Sequence, residues 1–117
     1  MTLGLESHVS GDTVILRCYG RIVFGDEGAA FRERVKHMLI GTPKVVVDLT
    51  NVDYIDSTGL GILVELLTSA RGKGGEIKLV SPSERVQQVL YHTKLNTAFR
   101  IYKSDKDAVA AFGNKIA

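Results

Sequence analysis

Two adjacent hydroxyl side chains, Ser57 and Thr58, follow the carboxylate of Asp56 where a turn leads into an apolar run. Short polar side chains of this kind are typical of a helix N-terminus, where a side-chain oxygen accepts a hydrogen bond from an unpaired backbone N–H group. Capping by Asp56 or Ser57 accounts for one polar residue and leaves a second hydroxyl unexplained. Gly59 and Gly61, each costing about 1 kcal/mol relative to alanine within a helix, indicate that something packs closely against this turn.

A second interpretation of the same helix start is regulatory. Unpaired amides and the positive end of the helix dipole favour an anion there, so a phosphate attached to Ser57 could be accommodated. Phosphorylation would add about −1.5 to −2 charge, which is enough to disturb an interface while leaving the fold intact. On the residues alone, capping and a phosphorylation switch both remain open.

Motifs of the common enzyme classes are incomplete in this chain. Gly20 and Gly25 have the spacing of a phosphate-binding P-loop, but Asp26-Glu27 stands where Lys and Ser or Thr are required. The segment Gly59-Leu60-Gly61 lacks the third glycine of a dinucleotide-binding loop. Ser57 is not flanked by the two glycines of a nucleophile elbow. We therefore predict a binding module that is not an enzyme and that uses no cofactor.

The histidines and the single cysteine do not form a metal-binding pattern. His8, His37 and His92 lie on different predicted elements, and we interpret them as surface residues. Cys18 is the only cysteine, which excludes an intramolecular disulfide, and we expect it in the core. A chain of this kind fits a reducing compartment.

Length and composition predict one compact domain over residues 1–117, with 44% hydrophobic and 24% charged residues. The 15 basic and 13 acidic residues are scattered and give a net charge of +2, so nucleic-acid binding is not expected. No apolar run approaches the length of about 18 residues that a membrane span needs, and the N-terminus lacks a signal-peptide pattern. We expect a cytoplasmic protein without membrane insertion.

Strands and helices alternate along the chain and must position residues 56–61. Period-2 and β-branched patterns predict strands around Leu3–Val9, at Thr13–Tyr19, Val45–Leu49 and Glu76–Val80, and within Leu95–Tyr102. Patterns of period 3.6 and capping residues predict helices from Asp26 to Gly41, from near Thr58 to about Ala70, from Pro82 after a capping box of Ser81 to Glu84, and beyond Ser104–Asp107. This order favours an α/β fold with a largely parallel central sheet.

The segment from Val45 to Gly61 closely resembles the STAS domain of bacterial anti-sigma factor antagonists. That family has an apolar strand ending in Asp-Leu, a short turn, and Asp-Ser-Ser/Thr-Gly-Leu-Gly at the start of a helix. This chain has Asp48-Leu49 and the run from Asp56 to Gly61 at the matching positions. The likeness continues through Gly74-Gly75, residues 76–82 and 95–101. It implies a single STAS domain, with a mixed, largely parallel sheet of four to five strands flanked by about four helices.

The resemblance implies a role in transcription regulation and signal transduction. In such partner-switching systems, the unphosphorylated antagonist binds an anti-sigma factor that is also a serine kinase, and thereby frees a sigma factor. Phosphorylation by that kinase ends the association, and a serine phosphatase restores it. The family's phosphorylation site, the first hydroxyl after the aspartate, corresponds to Ser57. The partner-binding surface is then expected to include Asp56, Thr58, Gly59 and Leu60 together with Ser57.

One predicted loop departs from the family pattern. Many members read Gly-acidic-Leu/Ile-Asp after the second strand, whereas this chain reads Gly20-Arg21-Ile22-Val23. Because that loop commonly borders the partner surface, Arg21 and Asp26 are expected to alter partner specificity. An alternative implied by the family is a STAS scaffold subunit of a stress-signalling or transporter-associated complex. The domain could also form a weak homodimer.

Overall fold

A computed structural model describes residues 3–113, in which one five-stranded sheet is covered by helices on both faces. Its strands are β1 (Gly4–Ser10), β2 (Thr13–Ile22), β3 (Lys44–Ile55), β4 (Glu76–Val80) and β5 (Ile101–Tyr102). Its helices are α1 (Asp26–Gly41), α2 (Ser57–Gly72), α3 (Glu84–His92) and α4 (Asp105–Gly113), and a short 3-10 helix spans Leu95–Thr97. The predicted α/β class is confirmed.

The strands lie in the sheet in the same order as in the sequence, from β1 to β5. Strands β1 and β2 form an antiparallel hairpin, and every later pair is parallel. The hairpin turns at Gly11, whose φ of 63° lies in the left-handed region that glycine adopts without strain. The predicted N-terminal strand and the largely parallel sheet are both confirmed.

The core has one large and one small part, on opposite faces of the sheet. Helices α1, α2 and α3 cover one face, where residues such as Leu16, Val47 and Leu63 are fully buried. Helix α4 covers part of the other face and packs Phe112 against Val46. A central parallel strand with helices on both sides is apolar on both faces, which explains the unbroken valine run of β3.

Strands β2 and β3 are both longer than predicted. The turn expected after Leu49 is instead strand, because β3 continues through residues 50–55. Likewise, Gly20 to Ile22 belong to β2 and do not form the predicted loop. The two extensions pair with each other, Ile22 opposite Ile55, after two register shifts at which β3 has one residue more than β2. Each segment acquires its strand conformation from a partner that is distant in sequence.

Helix α3 begins two residues later than the capping box predicts. Its N-cap is Ser83, whose hydroxyl accepts a hydrogen bond of 3.2 Å from the amide of Val86. Ser81 instead has a φ of 46° and donates its amide to the carbonyl oxygen of Tyr102 at 2.8 Å. This bond continues the pairing of β4 with β5, which delays the helix.

A charged cluster lies where α4 meets the sheet. Nε of Arg17 donates to Oδ2 of Asp105 at 3.1 Å, and Asp48 lies opposite Arg17 on the neighbouring strand. Burial and a hydrogen bond with Asp48 raise the pKa of Asp105, and Arg17 lowers it by less. Oδ1 of Asp105 is buried without a hydrogen-bond partner, which is unfavourable for an ionised carboxylate and favours the protonated form.

The cysteine and the histidines lie where the sequence predicts. Cys18 is buried in the main core, and burial raises the pKa of its thiol to about 12. His8, His37 and His92 are exposed. Among the helices within residues 3–113, none is long and apolar enough to cross a membrane.

Candidate functional site

The candidate site lies at the edge of the sheet where β2 and β3 end and where α1 and α2 begin. In open α/β sheets, binding sites form at the carboxyl ends of parallel strands, because the loops that follow neighbouring strands meet there. Arg21 lies opposite Tyr54 near the ends of β2 and β3, and Asp26 is the first residue of α1. The structure therefore brings Arg21 and Asp26 to the same edge as Ser57, the first residue of α2.

Asp56 joins the start of α2 to the loop between β2 and α1. Its Oδ1 accepts a hydrogen bond of 2.8 Å from the amide of Gly59, which is the N-cap bond of α2. Its Oδ2 accepts a bond of 2.9 Å from the amide of Phe24. The predicted capping is thus confirmed for Asp56, and the same carboxylate holds two segments that are distant in sequence.

Ser57 and Thr58 are exposed, and Asp56 alone provides the side-chain cap. The two hydroxyls are therefore not needed to start the helix. Capping of α2 therefore explains neither the hydroxyl of Ser57 nor that of Thr58. Both are accessible to another protein.

The two glycines of the motif have different roles. A Cβ at Gly59 would clash with the carbonyl oxygen of Ile22 and lie 2.8 Å from Cγ2 of Ile55, so only glycine permits the close approach of α2 to the sheet. A Cβ at Gly61 would meet nothing within 4 Å. The expectation of close packing is therefore confirmed for Gly59 and wrong for Gly61. Gly59 and Leu60 are buried, Leu60 with 6% of its surface exposed, and their part in partner binding stays a prediction.

Sequence reasoning missed Phe24, which is 77% exposed beside the start of α2. Its amide is held by Asp56, and the following residue, Gly25, has a φ of 106° that turns the chain into α1. The available signal was a large apolar residue in a loop, outside the 3.6-residue pattern of α1. Aromatic side chains that are exposed on a fixed backbone are common anchors of protein–protein interfaces.

Helices α1 and α2 are joined by a bidentate ion pair next to this site. Nη2 and Nε of Arg32 donate to Oε2 and Oε1 of Glu65 at 2.6 and 2.9 Å. The hydrogen bond from Arg32 lowers the pKa of Glu65 below its usual value. Because Arg32 is on α1 and Glu65 on α2, the pair helps to keep the Phe24 loop and the start of α2 in a constant relative position.

The outward side of α2 forms an uncharged strip, which we define as Ser57, Thr58, Gly61, Val64 and Thr68. All five residues are exposed, and they recur at the three- and four-residue spacing of one helix face. The strip begins at the two free hydroxyls. Its neutrality means that a charge added at Ser57 would change the electrostatics of the surface strongly.

The family model of the STAS domain matches residues 5–108. The chain therefore belongs to the STAS domain family, and the resemblance noted in its sequence is confirmed. A candidate anti-sigma factor antagonist from Thermotoga neapolitana is 41% identical over 69 residues, which cover 59% of this chain and 61% of that protein. The match thus spans about three fifths of that relative's length.

Solved structures agree over a longer range. The crystal structure of a candidate anti-sigma factor antagonist from Thermotoga maritima has a TM-score of 0.87 at 29% identity and covers 94% of this chain and 95% of that one. The antagonist SpoIIAA in its unphosphorylated form has a TM-score of 0.79 at 18% identity, covering 99% and 100% of the two chains. SpoIIAA from Bacillus in its phosphorylated form has a TM-score of 0.72 at 17% identity, covering 94% and 98%. The likeness to SpoIIAA shows the fold.

Proposed function

We propose that this chain is an anti-sigma factor antagonist, and that phosphorylation of Ser57 switches off its binding to an anti-sigma factor with serine kinase activity. The observation that carries the proposal is the exposed hydroxyl of Ser57, which begins α2 and takes no part in the cap made by Asp56. Relatives named as anti-sigma factor antagonists support the binding role. A serine phosphatase would restore the binding-competent form.

A phosphate on Ser57 is compatible with the fold. In the first turn of α2, Asp56 accepts from the amide of Gly59, and the amide of Leu60 donates to the Asp56 carbonyl oxygen. Ser57 and Thr58 are in that same first turn, where the backbone N–H groups form the positive end of the helix dipole and favour an anion. The effect of phosphorylation would therefore be felt by the partner and not by the fold.

The partner would meet a neutral surface before phosphorylation and an anionic one afterwards. Placing about −1.5 to −2 charge on the uncharged strip of α2 removes the match to a partner whose surface fits a small neutral side chain. Unfavourable charge placement costs several kcal/mol at an interface. A cost of about 3 kcal/mol lowers the affinity roughly a hundredfold. Arg21 and Asp26, both exposed at this edge, would contribute to the choice of partner.

The phosphorylation site is tested by mass spectrometry after incubation with the cognate kinase and ATP. One added phosphoryl group is expected in the wild type and in Thr58→Ala, and none in Ser57→Ala. Thr58→Ala is the matched control because it removes a neighbouring exposed hydroxyl. Labelling that persists in Ser57→Ala would refute the assignment.

The binding switch is tested by titrating the anti-sigma factor with wild type, Ser57→Ala, Ser57→Asp and the protein phosphorylated by the kinase. The first two are expected to bind equally and the phosphorylated form about a hundredfold more weakly. Ser57→Asp should show a smaller loss, because a carboxylate carries less charge than a phosphate. A large complex that assembles equally well with the phosphorylated form would favour a scaffold role instead.

The contribution of Phe24 is tested in the same titration. Truncating an aromatic anchor costs about 2 kcal/mol or more, so Phe24→Ala should weaken binding about 30-fold. Ile40→Ala is the control, since Ile40 is also 77% exposed but lies near the C-terminal end of α1. Equal affinities of the two variants would show that the partner does not contact the Phe24 loop.

A further inference from the structure

A concave pocket of about 390 Å³ lies between α4 and the ends of β3 and β4 that are opposite to the Ser57 site. Its walls include Lys44, Lys78, Arg100, Tyr102, Ala111 and Phe112. The volume is in the range of pockets that bind small molecules. Lys44 begins β3 and Ser57 follows its end, so at about 3.3 Å per strand residue the two sites are roughly 35 Å apart.

Lys78 is the one buried charged side chain within residues 3–113, with 8% of its surface exposed. Its Nζ lies 3.3 Å from the hydroxyl of Tyr102 and 4.6 Å from the centre of the Phe112 ring. The aromatic rings and the phenol stabilise the ammonium group in part. In the part of the chain that the structure describes, Lys78 forms no ion pair, and an ammonium group has three protons to donate. A buried charge without a counter-ion is unfavourable unless a ligand supplies one.

The other charges of the pocket reinforce this imbalance. Arg100 is exposed and, like Lys78, is in no ion pair among the described residues, whereas Lys44 pairs with Asp12 at 2.7 Å. Among the described residues of the lining, the one carboxylate is that of Glu76, and Arg71 already binds it at 2.8 Å. Within residues 3–113, no carboxylate balances the two positive charges on Lys78 and Arg100 at this pocket.

We propose that this pocket binds a small phosphate monoester. The phosphate, with about −1.5 to −2 charge near pH 7, would lie between Lys78 and Arg100 and match their two positive charges. A guanidinium group can bind two phosphate oxygens at once, and the lysine supplies a compact charge. Tyr102 and Phe112 would contact the organic part. The pocket is a separate site, and the proposal does not rest on the function proposed for Ser57.

The test is a titration of the ¹⁵N-labelled chain with phenyl phosphate, followed by amide chemical shifts. Saturable changes are expected at Gly74, Gly75 and Tyr102, which line the pocket. Phenyl sulfate has a similar shape but one charge less, and inorganic phosphate lacks the ring, so both should bind at least about tenfold more weakly. Equal binding of phenyl sulfate, or of inorganic phosphate, would overturn the proposal.

Variants locate the binding residues. Lys78→Met and Arg100→Ala should each weaken phenyl phosphate binding at least about tenfold, while Lys36→Met removes an exposed charge on α1 and should leave it unchanged. If Lys78→Met does not fold, Arg100→Ala decides the test, because Arg100 is exposed. An equal loss in Lys36→Met would show nonspecific attraction and refute the site. Ser57→Asp should bind the probe as the wild type does, and a loss there would refute the separateness of the two sites.

Discussion

Comparing Asp56→Ala with Asp56→Asn distinguishes the contributions of the two hydrogen bonds that the Asp56 carboxylate accepts. Alanine removes both the cap on Gly59 and the bond to the amide of Phe24. Asparagine keeps a carbonyl oxygen for the cap, since Asn and Asp are equally good N-cap residues. Its NH₂ group would then face the amide of Phe24, donor against donor, so the loop bond is lost while the cap remains.

Asp56→Ala should lower the free energy of unfolding about twice as much as Asp56→Asn. Loss of an N-cap costs about 1 kcal/mol, and loss of one partly solvated hydrogen bond to a charged acceptor costs about 1 kcal/mol more. We therefore expect the free energy of unfolding to fall by about 2 kcal/mol in Asp56→Ala and by about 1 kcal/mol in Asp56→Asn. For a domain of this size each kcal/mol lowers Tm by about 4 °C.

Urea unfolding followed by circular dichroism measures the free energies, and amide hydrogen exchange locates the lost bonds. The amide of Phe24 should exchange faster in both variants, and that of Gly59 only in Asp56→Ala. The reasoning would be refuted if Asp56→Asn lost as much stability as Asp56→Ala and exposed both amides equally. It would also fail if the exchange of Phe24 changed in neither variant, because the carboxylate would then not hold the loop.

Three further predictions concern single residues. Gly59→Ala should lower the free energy of unfolding by about 3 kcal/mol, because the added Cβ clashes with the backbone of Ile22. Gly61→Ala should raise it by about 0.5 to 1 kcal/mol, because its Cβ meets nothing. Urea unfolding measures both. Because the pKa of Asp105 is raised in the folded state, the protonated carboxyl stabilises the fold below about pH 3.8. This stabilisation is lost as the pH rises through the folded-state pKa. Asp105→Asn, which cannot ionise, should not show that loss of stability. Cys18, with a thiol pKa of about 12, should react with iodoacetamide at pH 8 only after unfolding.

A specific outcome would contradict each of these three predictions. Equal effects of alanine at residues 59 and 61 would mean that α2 does not approach the sheet as closely as described. The pH effect is measured as the stability of the wild type minus that of Asp105→Asn between pH 3 and 7, which removes the contributions of other groups. A difference that rises with pH would contradict the raised pKa of Asp105. Fast alkylation of native Cys18 would show that the core opens locally.

Patterns within a single element predicted much of the fold. The 3.6-residue spacing of Phe31, Val35 and Leu39 placed α1 correctly, because that helix buries one continuous stripe. The β-branched run at Val45–Leu49 predicted a strand, and it lies within β3, where its valines are fully buried. A side-chain cap at the start of α2 was also predictable, since it depends on residues three positions apart, although the sequence left open whether Asp56 or Ser57 provides it. Each of these features depends on residues that are close together in the sequence, so the sequence alone predicts it.

Features that depend on distant partners were not predictable. Residues 50–55 are polar in part and form a strand because the end of β2 lies beside them. Ser81 does not start α3 because its amide pairs with Tyr102. The burial of Lys78 arises from the packing of α4 over β4, and a strand pattern alone predicts an exposed lysine at that position. The exposure of Phe24 likewise depends on where Asp56 anchors the loop.

The sequential order of the strands has a consequence for synthesis on the ribosome. Because each strand lies next to the one that precedes it in the sequence, no strand has to insert between two that have already paired. At 5 to 20 residues per second, the 117 residues emerge over roughly 6 to 23 s. The segments that form the Ser57 site leave the ribosome before α4, which closes the pocket around Lys78. The nascent chain can thus form the Ser57 site before the pocket around Lys78 exists.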